Sequence, residues 1–93
     1  MDRNKAKDYL GIAAKAGYLI IGSDKLDSYK QKLYLILLDN TAGKSAIKIA
    51  ERFKTQAPVL QVEGLGQICG IATCKLLGIK NKGLAEIIEG CLK

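Results

Sequence analysis

The chain contains no histidine and no tryptophan, only one proline and one phenylalanine, and an odd set of three cysteines. Without histidine there is no Cys-His pair, no His-containing metal site and no imidazole to act as the usual base near pH 7. Cys69, Cys74 and Cys91 form no CxxC knuckle, which argues against zinc. Their number and spacing give no disulfide framework, which fits a reducing compartment. Cys69 and Cys91 fall on apolar faces and read as core, whereas Cys74 sits in a loop and reads as the one exposed thiol. No apolar run reaches the roughly 18 residues of a membrane-spanning helix. The polar start MDRNKAKD is neither a secretory signal nor an Arg-rich, acid-poor transit peptide. A cytoplasmic protein without membrane contact is expected, with no catalytic residue and no metal site.

What the chain does have is positive charge: 15 Lys and Arg against 9 Asp and Glu, a formal net charge of +6. Such a balance favours an anionic partner, and for a small basic domain nucleic acid is the commonest one. Ninety-three residues, 48% of them hydrophobic, suit one domain spanning 1–93 around a single core.

The hydrophobic period alternates between helix and strand along the whole length. Ala6, Leu10, Ala13 and Gly17 follow helical spacing, and Tyr18 to Ile21 then reads as a short buried strand. After Gly22, Ser23 or Asp24 suits an N-cap, because its side-chain oxygen can accept from a first-turn N–H; Leu26, Tyr29 and Leu33 continue the apolar face. Leu33 to Leu38, LYLILL, is a continuous apolar run of the kind buried on both faces of a sheet. Asp39, Asn40 and Thr41 offer caps for a helix whose core side is Ala46, Ile49, Ala50 and Phe53. Val59 to Val62 is the next strand, and Leu65, Ile68 and Cys69 fit a short helix closed by Gly70. The loop Ile71 to Cys74 leads into the strand Lys75 to Ile79. Asn81 then caps a last helix with Leu84, Ile87, Ile88 and Cys91 inward. Five helices alternating with four strands predict an α/β fold, a three-layer α/β/α sandwich on a four-stranded mixed sheet.

Two near-motifs fail on inspection. Gly43-Lys44-Ser45 ends like a P-loop, but Leu38 stands where its first glycine belongs; Gly64-Leu65-Gly66 starts a dinucleotide fingerprint whose third glycine position is Cys69.

The segments LGIAAKAGYLIIG and LGQICGIATCKLLGIKNKGLAEII, together with the order of Gly17, Gly22, Gly66, Gly70 and Gly83, carry a resemblance over nearly the whole chain. They resemble the kink-turn RNA-binding family of ribosomal and small nucleolar ribonucleoproteins, the ribosomal L-seven-Ae and L-thirty-e-like proteins, most closely the small bacterial YlxQ-like members. The resemblance implies a non-enzymatic protein without a cofactor that binds structured RNA, as rRNA or another kinked RNA, in or near the ribosome and in translation; a monomer when free is expected.

It also implies a site in two parts. One is Gly22 and the helix start after it, Ser23, Asp24, Lys25 and Ser28; strong binders carry asparagine, glutamate and lysine where this chain has Asp24, Lys25 and Ser28. The other is the loop Ile71, Ala72, Thr73 and Cys74, which in the family packs against an unstacked base. Free N–H groups at a helix start suit phosphate, and Lys25 adds a mobile cation. A carboxylate accepts hydrogen bonds but donates none, so Asp24 cannot make both bonds of an asparagine amide. The site therefore reads as suited to an RNA backbone more than to kink-turn selection. Lys30 and Lys32 lie further along as secondary contacts. Tyr18 is the tyrosine best set for stacking, being next to the strand that leads to Gly22. Two other readings stand beside RNA binding: a protein-interaction module in ribosome assembly or translation, and a small-ligand α/β domain using a pocket near Gly22 and Gly70.

Overall fold

A computed structural model describes residues 2–93. The elements follow in the order α1 (Arg3–Lys15), β1 (Leu19–Ile21), α2 (Ser23–Ser28), β2 (Leu35–Asp39), α3 (Lys44–Phe53), β3 (Val59–Val62), α4 (Leu65–Cys69), β4 (Leu76–Ile79) and α5 (Lys82–Leu92). The sheet runs β1-β4-β2-β3, with β4 antiparallel to both neighbours and β2 parallel to β3. The expected mixed four-stranded sheet is therefore present.

Alternation along β2 builds the layers. Leu35 and Leu37 join one buried cluster with Leu77 and Ile79 of β4, Ala6 and Leu10 of α1, Leu65 and Ile68 of α4, and Ala85 and Ile88 of α5. Ile36 and Leu38 face the other way, into a cluster with Leu26 of α2 and Ala46, Ala50 and Phe53 of α3. Successive strand residues point to opposite faces, so a run buried at every position requires helices on both sides. All five residues of β2 are buried. On α5 the inward face is Ala85, Ile88, Cys91 and Leu92, while Ile87 is exposed, contrary to the expected inward set.

Chain-reversal chemistry explains the helix ends. Tyr18 N–H donates to Ala13 O and Gly17 N–H to Ala14 O, with Gly17 at φ 78°, the paired bonds that close a helix through a left-handed glycine. Asn81 Oδ1 accepts from Leu84 N–H at 2.9 Å and caps α5 as expected. Two other caps differ from expectation. α2 starts after Gly22 with no side-chain cap, so Ser23 and Asp24 lie in its first turn; α3 starts after Gly43, not after Asp39, Asn40 or Thr41.

Gly78 is fitted to its neighbours. A Cβ there would come 2.8 Å from Leu33 Cδ1 and 3.0 Å from Leu26 Cδ2, both in the core. Because these are movable side-chain ends, Gly78→Ala is expected to cost only about 1 kcal/mol, at the low end for overpacking. Urea denaturation measures it; a stabilised variant would show that the α2 side of the sheet is loosely packed.

Candidate nucleic-acid interface

The strand directions sort every loop to one end of the sheet or the other. At one end, Gly22 N–H donates to Leu76 O at 3.0 Å, which sets the start of α2 beside the chain entering β4. Asp39 N–H donates to Lys75 O and Asn40 N–H to Val62 O, so the C-terminal ends of β2 and β3 and the start of α4 meet the same edge. Thus the two parts of the expected site, far apart in sequence, are adjacent in space.

Gly22 takes φ 102°, a region that side chains rarely adopt, and this sharp turn swings the chain from β1 into α2. The first bond that closes inside α2 runs from Leu26 N–H to Gly22 O, which leaves the N–H groups of Ser23, Asp24 and Lys25 without a partner inside the helix. α2 has only six residues, so attraction of an anion here rests on those donors and the Lys25 ammonium more than on a helix dipole. Asp24 and Lys25 are exposed and Ser23 half-buried. Ser28 lies one turn along, its hydroxyl donating back to Lys25 O at 3.2 Å.

Across the Gly22–Leu76 bond lies the second part. Gly70 in the left-handed region ends α4, and Cys74 N–H donates to Ile71 O at 2.9 Å, closing a turn with Ala72 and Thr73 at its tip. Ile71, Ala72 and Thr73 are exposed; Ile71 keeps 41% of its surface open, an apolar side chain at the rim of a polar site. Cys74 corrects the sequence reading. Only 4% exposed, it anchors the turn from below and has no surface for RNA, and burial followed by the neighbouring Cys69 pushes its thiol pKa up to about 12. It is inert packing.

Tyr18, Lys30 and Lys32 are not part of this edge. Tyr18 precedes β1 where Gly22 follows it; its carbonyl accepts from Lys80 N–H at 2.8 Å, at the opposite end of the sheet. The three residues of β1 lie between Tyr18 and Gly22, and the four steps from one to the other span about 13 Å. Lys32 sits at that far end too, its ammonium 5.3 Å from the centroid of the Tyr34 ring. Tyr34 N–H in turn donates to Ile79 O.

Sequence reasoning missed Asp39 and Lys75. Asp39 is 4% exposed, and both of its oxygens are engaged: Oδ1 accepts from Leu65 N–H at 2.8 Å, and Oδ2 from Thr41 N–H at 2.9 Å and from the Thr41 hydroxyl. Lys75 Nζ lies 3.5 Å from Oδ2 and donates to Thr41 Oγ1 at 2.8 Å. The Thr41 hydroxyl and N–H, with Leu65 N–H and Lys75, outweigh the cost of burial and hold the Asp39 carboxyl far below its usual range. The available signal was an acid directly after a wholly apolar strand, a position where a charge must find partners. Asp39, Thr41, Gly66, Ala72 and Lys75 line an open hollow of about 520 Å³ beside the turn. Its buried carboxylate is engaged by Leu65 N–H of α4 and by the Thr41 turn, which leaves Gln67 and Lys75, beside Thr41 itself, as the exposed polar side chains of the lining.

No protein-family model matches the chain, and no curated protein matches it. Among solved structures, one of a protein with unknown function from Bacillus halodurans C is similar over 95% of this chain and 96% of its own, with a TM-score of 0.77 and 24% identity. The Giardia lamblia 15.5kD RNA-binding protein is similar over 96% of this chain and 82% of its own, with a TM-score of 0.61 and 15% identity. These likenesses establish the shared α/β architecture.

Proposed function

We propose that this protein binds structured RNA without catalysing a reaction, as rRNA or another kinked RNA in or near the ribosome, through the edge formed by Gly22 to Lys25 and Ile71 to Thr73. The observation that carries the reading is the Gly22–Leu76 hydrogen bond, which sets three N–H donors without intrahelical partners, and a lysine, beside the strand that the exposed loop Ile71 to Thr73 leads into. Donors and a cation suit a phosphate, and the Ile71 side chain suits the face of an unstacked base. The net charge of +6 and a fold shared with a protein named for RNA binding support the same class of partner. Asp24 offers no donor and has the charge of a phosphate, so the backbone N–H groups do the holding, and selection of a kink-turn by base edges is weak.

Binding to structured RNA is expected to weaken as salt rises, with a log–log slope of roughly −2 to −4 for a few phosphate contacts. Lys25→Glu is expected to weaken it about tenfold near 0.1 M salt and to make the slope shallower by about 1. Fluorescence anisotropy with RNA recovered by crosslinking in cells is the measurement. Absence of salt-sensitive binding at low ionic strength would sink the proposal, and ribosomal association indifferent to Lys25→Glu would favour a protein-interaction module.

A further inference from the structure

The excess positive charge does not lie at the Gly22 edge. Four connections meet at the opposite end of the sheet, and with the helix ends beside them they span residues 15–18, 29–34, 54–58 and 80–83: Lys15 closes α1, and Lys82 and Gly83 open α5. They are tied together by Lys80 N–H to Tyr18 O at 2.8 Å, Tyr34 N–H to Ile79 O at 2.9 Å, Leu33 N–H to Gln56 Oε1 at 3.2 Å and Ile36 N–H to Pro58 O at 2.9 Å. These segments carry Lys15, Lys30, Lys32, Lys54, Lys80 and Lys82 and not one carboxylate. The remainder of the chain has nine cations and nine carboxylates, so the whole +6 belongs to this end.

The acids nearest to these segments lie outside them. Asp27, at the end of α2, is paired with Arg52, and Glu51 lines a groove along the β3 edge together with Lys54. Among the described residues no ion pair reaches any of the six lysines. Three of the four tyrosines are here as well: Tyr18 is 38% exposed, and Tyr29 and Tyr34 are half-buried, one with the Lys32 ammonium over its ring. Crowding like charges costs stability unless something anionic meets them.

We infer that this end is a second RNA-binding surface, which holds a single-stranded segment by lysine contacts to phosphates and by stacking of bases on tyrosine, on the side of the molecule away from Gly22. Lysines interleaved with part-exposed aromatic rings are what a strand without sequence preference requires. A membrane surface fits less well, since Tyr18 is the one large apolar side chain exposed on these segments and a bilayer binder buries an apolar face. The inference shares its ligand class with the proposed function but none of the residues that form the Gly22 edge. Together the two ends would let one small domain hold two RNA segments apart by the length of its sheet.

The test uses the full chain, a 4-thiouridine-labelled poly(U) of about 16 nucleotides and phosphatidylglycerol vesicles. Lys30→Ala/Lys32→Ala/Lys80→Ala is expected to make the salt slope for poly(U) shallower by about 2, at about 0.7 for each phosphate that is no longer neutralised. It is also expected to remove photocrosslinks to peptides containing Tyr18 and Tyr34, whereas Lys25→Glu keeps both. An unchanged slope in the triple variant, or crosslinks confined to Ile71–Thr73, would overturn the inference and leave the Gly22 reading standing. Loss in the triple variant, with structured-RNA binding indifferent to Lys25→Glu, would uphold it and sink the Gly22 reading. Tighter binding to the vesicles than to poly(U), abolished by the same three substitutions, would overturn it in favour of a lipid surface.

Discussion

Asp39→Ala is expected to cost about 2–3 kcal/mol and to lower the melting temperature by about 10–15 °C. The carboxylate is the joint between three segments: Oδ1 receives Leu65 N–H, the first of α4; Oδ2 receives both donors of Thr41 and faces Lys75. Hydrogen bonds to a charged acceptor contribute about 1.5–3 kcal/mol, and their loss here leaves the buried Leu65 N–H without its partner. The Lys75 contribution is smaller, because its side chain is 47% exposed and water screens it. Asp39→Asn keeps the shape but removes the charge, so a milder loss is expected. The pH dependence follows from the depressed carboxyl pKa. The folded chain keeps Asp39 ionised where the unfolded chain binds a proton at the ordinary value of 3.8, so its contribution is complete above that pH and is lost as pH falls below it. Urea denaturation should therefore give a wild type-to-alanine gap that is constant from neutrality to about pH 5 and narrows below about pH 4. A gap that narrows near neutrality would mean that some other group controls this joint.

The same residue shows why part of the architecture was legible in the sequence and part was not. LYLILL reads as a strand with two dry faces because nothing except helices on both sides can cover six apolar residues in a row; the strand begins at Leu35, two residues later than expected, and β2 is covered in that way. Gly17 and Asn81 mark helix ends through bonds made within a few residues, so local chemistry was enough. Asp39 belongs to a D-N-T string that resembles a cap for the helix following it, yet its decisive partner, Leu65, is 26 residues away. Local pattern has no access to such a contact. Cys74 misled for a related reason: a loop position suggests exposure, but a turn closed onto Ile71 O tucks its last residue under the sheet edge. At α2 the boundary slipped by one or two residues, since a glycine with positive φ serves as the cap and leaves Ser23 and Asp24 inside the first turn. Separation of Tyr18 from Gly22 was available to sequence reasoning, because residues before and after one strand must lie at opposite ends of the sheet. Grouping Lys30 and Lys32 with Gly22 overlooked the same rule, for α2 carries the chain back to the far end before β2 begins.

Gly66→Ala is expected to damage the Gly22 edge more than any exposed substitution in it. A Cβ on Gly66 would lie 2.7 Å from Ala72 O, 2.8 Å from Ile71 O and 3.0 Å from the Ala72 carbonyl carbon. Gly78 would press on the ends of leucine side chains; here the obstacle is backbone, and it belongs to the turn that presents Ile71, Ala72 and Thr73. That turn cannot yield by a rotamer change, since Cys74 N–H holds Ile71 O and Cys74 itself is buried. Relief requires α4 and the turn to separate. Overpacking of this kind costs about 1–3 kcal/mol, against which alanine returns up to about 1 kcal/mol of helix propensity. A net loss of about 1–2 kcal/mol leaves most molecules folded, which makes binding the informative readout. Structured-RNA affinity is expected to fall about tenfold or more, with amide resonances of residues 70–75 displaced, while poly(U) crosslinks at Tyr18 and Tyr34 persist. Gly90→Ala provides the control: no atom lies within 4 Å of its added Cβ on α5, so it is expected to stabilise by about 0.5–1 kcal/mol and leave both RNAs bound. Should Gly66→Ala displace the turn yet leave structured-RNA binding intact, the Ile71–Thr73 loop would be excluded from the interface, and Lys25 with its neighbouring N–H groups would have to account for RNA contact at that edge alone.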